Sequence, residues 1–147
     1  MGPPGECVNA GMVRAGTLSH VDRRRAIVMA IVIGGAIGAA VRAGLGEGLS
    51  PGAWPWATLV ANISGTILLA VLAALMYFRP QLPHWLHPLI AVGFCGSLTT
   101  FSGLQLEAFV MMRHGRSGAA VFYVLASVVV GLLAALVGRR AVQMVHA

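Results

Sequence analysis

Four long apolar stretches account for most of this 147-residue sequence, at residues 26–45, 56–78, 86–112 and 119–138. Each approaches or exceeds the roughly 20 residues that an α-helix needs to cross the hydrocarbon core of a bilayer. Because 58% of the residues are hydrophobic and 10% are charged, the chain has too few polar residues to cover a soluble domain of this size. The sequence therefore predicts an all-α integral membrane protein with four transmembrane helices.

Arginines at the ends of the apolar stretches carry most of the charge. The net charge is +6, and the sequence contains no lysine. With four spans both termini lie on one side, which then holds Arg14, Arg23, Arg24, Arg25, Arg79, Arg139 and Arg140. The other side holds Arg113, Arg116 and, at the end of the first span, Arg42. This excess predicts cytoplasmic termini in the plasma membrane if a single orientation is used, although it depends on the four arginines before the first span.

The apolar pattern divides the chain into three parts. Residues 1–25 are polar and contain Gly, Pro and charged residues, so we expect a disordered N-terminal tail. Residues 26–140 form the four-helix membrane unit, and residues 141–147 form a C-terminal tail. The arginine placement is typical of membrane anchoring, and no nucleic-acid-binding signature accompanies it. We therefore expect membrane lipid as a partner and no nucleic acid.

The third stretch contains a polar segment, GFCGSLTTFSGLQLE, at residues 93–107. Its Gly, Ser and Thr residues disfavour a continuous helix, and Ser102 with Gln105 fits a capping box that starts a new helix. One interpretation is therefore two half-helices that meet between residues 96 and 101, with free carbonyls for a cation and free N–H groups for an anion. The other is an unbroken helix whose hydroxyls bond their own backbone.

Further polar side chains lie within the spans, where an unpaired polar group is energetically costly. Arg42 is either an interfacial anchor or a positive charge at the mouth of an anion pathway. Thr58 and Asn62 share one helix face, and Asn62 makes either a helix–helix hydrogen bond or an amide contact to an anion. Tyr123 and Ser127 also share a face, although a serine at such a position ordinarily bonds its own helix.

The sequence contains no recognisable catalytic pattern. Neither a Ser-His-Asp set nor paired carboxylates occur, and Cys7 and Cys95 form no metal or disulfide motif. We therefore expect no enzyme. A small dual-topology, proton-coupled drug exporter is an alternative, but the first span lacks the carboxylate it requires, and Glu107 lies toward the end of the third span.

Four segments, in order, resemble the Fluc (CrcB) family of fluoride channels. They are GGAIGAAVR at 34–42, TLVANISG at 58–65, GFCGSLTTFS at 93–102 with the later Glu107, and YVLAS at 123–127 followed by Gly131. The resemblance covers about residues 26–140, and the third segment is the most specific of the four.

This resemblance implies a channel subunit that exports F⁻ passively and pairs antiparallel with a second subunit. It implies a broken third helix and a structural Na⁺ at the dyad, held by the backbone carbonyls of Gly96 and Thr99. The expected ion pathway comprises Asn62, Phe101, Ser102, Tyr123, Ser127, Thr58 and Gln105. Arg42 and Glu107 are expected in vestibule or structural positions.

One departure from the family pattern affects this expectation. The family usually continues TTFSTFS, whereas this chain has TTFSGLQ, so Leu104 stands where a second pore phenylalanine is expected. A leucine has no electropositive ring edge. Gln105 either compensates with its amide donors, or the chain is one member of a heterodimer with a paralogous subunit. Both homodimer and heterodimer therefore remain open.

Overall fold

The computed structural model describes residues 20–49 and 54–145. Helix α1 spans His20–Gly48, and α2 spans Trp56–Phe78. The third span consists of a π-helical segment, Pro88–Cys95, a short helix α3, Gly96–Leu98, and helix α4, Phe101–Arg113. Helix α5 covers Ser117–Val145. Four helical stretches are long and apolar enough to cross a membrane, which confirms the predicted all-α, four-span architecture.

The first and last helices are longer than the sequence predicts. Helix α1 starts at His20 instead of residue 26, and α5 continues to Val145 instead of ending at residue 138. Each contains 29 residues and is therefore about 43 Å long, the thickness of a bilayer with its headgroup layers. Apolarity marks only the hydrocarbon core, whereas arginine, a good helix former, continues a helix through the headgroups. Residues 1–19 and 146–147 of the predicted tails lie outside the described residues.

Two glycines bring α1 into direct backbone contact with the third span. Helix α1 packs chiefly against the π-helical segment and α3. A Cβ atom at Gly34 would overlap the carbonyl oxygen of Leu89, and one at Gly38 would overlap that of Phe94. Small residues four positions apart allow two helices to approach this closely. The third span is thereby held against α1 along its first half.

The remaining contacts form a thin bundle with an apolar exterior. Helix α2 packs along α5, and a core cluster between α4 and α5 contains Leu104, Ala108, Met111, Ala120 and Tyr123. Other large apolar side chains face outward, and Leu132, Leu133 and Val137 of α5 are each more than half exposed. Lipid or a second subunit has to cover such a surface. The fold places the third span where it contacts α1, α2 and α5.

Candidate functional site

The third span changes backbone conformation between Leu98 and Phe101. Thr99 (φ −81°, ψ 149°) and Thr100 (φ −148°, ψ 119°) are extended and separate α3 from α4. Thr99 remains tied to the preceding helix, because its hydroxyl donates to the carbonyl oxygen of Cys95 at 2.9 Å. Non-helical backbone within a span needs partners for the groups that leave the helical pattern. The partners of these two threonines therefore define the candidate site.

Helix α4 begins with Thr100 as its N-cap, so the predicted N-cap, Ser102, is wrong. The Thr100 hydroxyl accepts a hydrogen bond from the backbone N–H of Gly103 at 3.0 Å. Ser102 lies in the first helical turn, with its Oγ 3.2 Å from Thr100 Oγ1. Gln105 is exposed and does not occupy position N3, which is Gly103. An N-cap residue needs an extended backbone, and that conformation ends two residues earlier than the capping-box pattern indicates.

Asn62 of α2 binds this segment through both polar atoms of its carboxamide. Its Oδ1 accepts a hydrogen bond from the Thr100 backbone N–H at 2.8 Å, and its Nδ2 donates to the Thr100 carbonyl oxygen at 3.1 Å. The helix–helix hydrogen bond considered for Asn62 is therefore present. A carboxamide nitrogen carries two hydrogens, and this contact uses one. Asn62 thus retains a donor that a ligand can use.

The same contacts redirect two backbone donors. In a continuous helix the Thr100 N–H would bond the Gly96 carbonyl, and the Gly103 N–H would bond the Thr99 carbonyl. Here these N–H groups donate to Asn62 Oδ1 and Thr100 Oγ1. The carbonyl oxygens of Gly96 and Thr99 are therefore released from those helical bonds at the negative end of the preceding helix.

A second polar cluster joins α2, α4 and α5 around Glu107. Thr58 Oγ1 donates to Glu107 Oε1 at 2.6 Å, and the Tyr123 hydroxyl donates to Oε2 at 2.7 Å. Tyr123 is fully buried, so its hydroxyl requires such a partner. All three residues are sequence predictions, but nothing in their spacing indicates that they meet, because they come from three helices. Thr58 and Asn62 both contact the third span, which confirms that they share a face of α2.

Two cavities adjoin the two polar contacts. A groove of about 120 Å³ lies between α2, α4 and α5, and its lining includes Asn62, Phe101, Leu104 and Ser127. A pocket of about 390 Å³ lies between α1, α2 and α4, and its lining includes Arg42, Thr58, Thr100 and Glu107. Because Asn62 lines the groove and is bonded to Thr100, which lines the pocket, the two cavities are adjacent at the extended segment.

The remaining predicted residues lie at the edges of this arrangement. Phe101 is 72% exposed at the groove, whereas Leu104 is only 7% exposed. Ser102 and Gln105 lie on the exposed face of α4. The Ser127 hydroxyl donates to the Tyr123 carbonyl oxygen at 2.7 Å, the ordinary bond of a serine within a helix.

Thr100 is a site residue that the sequence did not identify. It provides the N-cap, both backbone groups bound by Asn62, and part of the pocket wall. The available signal was the Thr-Thr pair immediately before Phe101, since threonine is a common N-cap. The groove as a whole offers the second N–H of Asn62 beside an exposed aromatic ring, an arrangement that suits a small desolvated anion.

Comparison with known proteins identifies the family. A family model described as "CrcB-like protein, Camphor Resistance (CrcB)" matches residues 29–139, which include α2, the whole third span and most of α1 and α5. The chain belongs to the CrcB family. As a CrcB protein with four helices able to cross a membrane, it is a multi-pass membrane protein.

Several relatives of this chain carry the name fluoride-specific ion channel. The chain is similar to FluC 2 of Geobacillus kaustophilus, with 42% identity over 86 residues that cover 58% of this chain and 67% of that protein. It is similar to FluC 1 of Nitrobacter hamburgensis, with 37% identity over 58% of this chain and 68% of that protein. FluC of Nitrobacter winogradskyi is 34% identical over 60% of this chain and 70% of that protein.

Proposed function

We propose that this chain is a subunit of a fluoride-selective channel through which F⁻ leaves the cytoplasm passively. The relatives described above are fluoride-specific ion channels by name. The observation that carries the proposal is the groove in which Asn62, Phe101 and Ser127 lie together. In this proposal the chain conducts F⁻ across the membrane, and no catalysed reaction is assigned to it.

The chemistry of the groove matches the requirements of fluoride. This small anion holds its water tightly, so a pathway has to replace that water with other favourable contacts. The second N–H of the Asn62 carboxamide is a suitable donor. Phe101 adds the electropositive edge of its ring. Its 72% exposure leaves that edge available to an ion or to a second subunit.

The adjoining pocket is the proposed entry to the pathway. Arg42 lines it on the α1 side and supplies a positive charge that attracts anions to its mouth. Glu107 lines the opposite side, but both of its carboxylate oxygens accept hydrogen bonds, from Thr58 and Tyr123. These bonds hold α4 against α2 and α5, and we assign Glu107 the role of positioning α4 beside the pathway.

A structural Na⁺ held by the carbonyl oxygens of Gly96 and Thr99 is part of the proposal. These oxygens fit a hard cation, because hard cations prefer oxygen ligands and the usual helical donors of both carbonyls bond elsewhere. Two carbonyls form an incomplete coordination shell, which the corresponding carbonyls of the proposed second subunit would extend. When bound, the ion would supply positive charge that lowers the energy of an anion nearby.

An antiparallel pair of subunits completes the proposed channel. The groove of a single chain has Phe101 at an open edge, and Ser102 and Gln105 lie exposed next to it on α4. An ion in this groove would contact lipid unless another protein surface closed it. A second copy related by a two-fold axis would present the same surface and close both grooves at once.

Leu104 supports a second candidate, a partner-dependent subunit of the same fold. Its side chain is 7% exposed and packs in the cluster between α4 and α5. An aliphatic side chain at position 104 offers an anion no favourable contact. The groove lining therefore contains one aromatic ring, that of Phe101. A paralogous subunit with two phenylalanines would supply the missing ring.

Fluoride efflux from liposomes that contain this chain alone tests both candidates. A fluoride electrode follows the efflux, with chloride efflux measured in parallel. Rapid fluoride efflux without chloride efflux supports a working homodimer. Equal fluoride and chloride efflux contradicts selectivity. No efflux from folded protein favours the partner-dependent subunit, and co-reconstitution with a paralogous subunit should then restore it.

A further inference from the structure

A cleft larger than the groove and the pocket described above lies away from them, between the C-terminal halves of α2 and α5. Its volume is about 640 Å³. Small residues create it: Ala70, Ala73 and Ala74 line the α2 side, and Ala135 lines the α5 side. The two helices are in close contact at Gly138, where an added Cβ would lie 3.1 Å from the Cβ of Ala70. The cleft wall is therefore apolar along most of its length.

Polar groups gather at the end of this cleft where both helices terminate. Arg139 and Gln143 lie one turn apart on α5 and line it. Tyr77, which is 82% exposed, lines the α2 side near the end of that helix. No acidic residue lines the cleft, and within residues 20–49 and 54–145 no hydrogen bond or ion pair to Arg139 is found. The guanidinium thus presents its donors to whatever occupies the cleft.

We propose that this cleft binds one acidic phospholipid, with the lipid phosphate on Arg139 and an acyl chain along the alanines. Arginine matches phosphate geometry well, and basic pockets between transmembrane helices bind anionic headgroups. Tyrosine and arginine near helix ends lie at the headgroup level of a bilayer. A zwitterionic lipid gains less, because its headgroup has no net charge to complement an arginine that lacks an acidic neighbour.

The length and the apolar wall of the cleft suit an acyl chain. Its lining runs over eight helical steps, from Ala70 to Phe78 on α2 and from Ala135 to Gln143 on α5, or about 12 Å. An acyl chain is narrower than a helix with side chains, which is about 10 Å across, and it can lie along the alanines below Arg139. A helix of a second subunit is the competing occupant, and the experiment below distinguishes the two.

Native mass spectrometry of the intact purified assembly tests the proposal with two added lipids of identical acyl chains. We expect phosphatidylglycerol to bind about tenfold more tightly than phosphatidylcholine. Arg139→Gln should remove that preference. Arg140→Gln is the matched control, because Arg140 has the same charge at the adjacent position but does not line the cleft. Ala73→Phe should reduce binding of both lipids by narrowing the cleft.

Three results would overturn the proposal. Equal loss of preference in the Arg139 and Arg140 variants would indicate diffuse charge attraction. Equal binding of the two lipids to the wild-type chain would contradict recognition of the anionic headgroup by Arg139. A disulfide between Ala73→Cys residues of two copies, in a background without Cys7 and Cys95, would mean that a second subunit covers the cleft. Size-exclusion profiles identify any variant that fails to assemble. If Arg139→Gln fails in this way, the lipid binding of Ala73→Phe still tests the proposal.

Discussion

At the scale of single residues, Asn62 combines a structural and a proposed functional task. Its carboxamide bonds both backbone groups of Thr100, and each of these groups would be costly if left unpaired within a membrane. The two interpretations from the sequence, a helix–helix contact and an anion donor, are therefore compatible. Asparagine suits both because it carries one acceptor and two donor hydrogens on one short side chain.

Replacing Asn62 with aspartate should reduce fluoride efflux from liposomes at least about a hundredfold while the assembly stays folded. The carboxylate keeps an acceptor for the Thr100 N–H. It loses the donor to the Thr100 carbonyl, and its charge repels F⁻. Ser64→Ala is the control on the same helix, because the Ser64 hydroxyl donates to the Ala61 carbonyl of α2 at 3.1 Å. Its efflux should stay within about twofold of wild type. Unchanged efflux in Asn62→Asp would contradict the pathway assignment.

At the scale of elements, glycine spacing determines how α1 meets the third span. The carbonyl oxygens of Leu89 and Phe94 occupy the space that side chains at Gly34 and Gly38 would need. Both carbonyls belong to the π-helical segment, whose wider turn is often found at functional sites. A shift of this segment would also displace the carbonyls of Gly96, which follows it directly, and of Thr99, which caps α3.

Gly38→Ala should therefore destabilise the protein by about 1–3 kcal/mol, because the new methyl group overlaps backbone that has no rotamer to change. Gly44→Ala, on the same helix, meets nothing within 4 Å and should be neutral or stabilising by about 0.5–1 kcal/mol. Thermal unfolding in detergent, followed by circular dichroism, measures both variants. Similar midpoints for the two would argue against backbone contact at Gly38.

The sequence predicts the existence of the four spans better than it predicts where a helix begins. The four spans follow from apolar runs, and the predicted change within the third follows from its Gly, Ser and Thr content. The starting residue of α4 does not follow, because Ser102 and Thr100 are both good N-caps in sequence. The choice depends on Asn62, which stands 38 positions earlier and holds Thr100 in an extended conformation.

At the scale of the whole molecule, the described part of the chain has a small core and an apolar exterior. Its core cluster is confined to α4 and α5, its candidate groove is open at Phe101, and its outer surface is apolar. The arginine excess on one side, which depends on the tail, favours a single orientation and therefore the heterodimer. The open groove agrees with the proposed pairing with an inverted subunit.

Cysteine labelling in sealed vesicles tests that arrangement. Single cysteines replace His114, in the loop after α4, or Gln81, in the loop after α2, in a background without Cys7 and Cys95. An antiparallel homodimer should react with an impermeant maleimide at about half of the sites in both variants, because each copy presents the opposite loop. Full labelling of one variant and none of the other would indicate a single orientation and favour the heterodimer.

The sequence by itself determined the membrane as the solvent and the number of spans, whereas for the third span it left a broken and an unbroken helix both open. Apolar run length and polar content are local properties, so they can be read directly along the chain. Only the tertiary structure decided that Thr58, Glu107 and Tyr123 form one cluster and that Asn62 binds Thr100. Helix rotation and packing set these contacts between distant positions, and no local pattern encodes them. The alanine-lined cleft at Arg139 has the same origin, since its walls come from two helices that are distant in sequence.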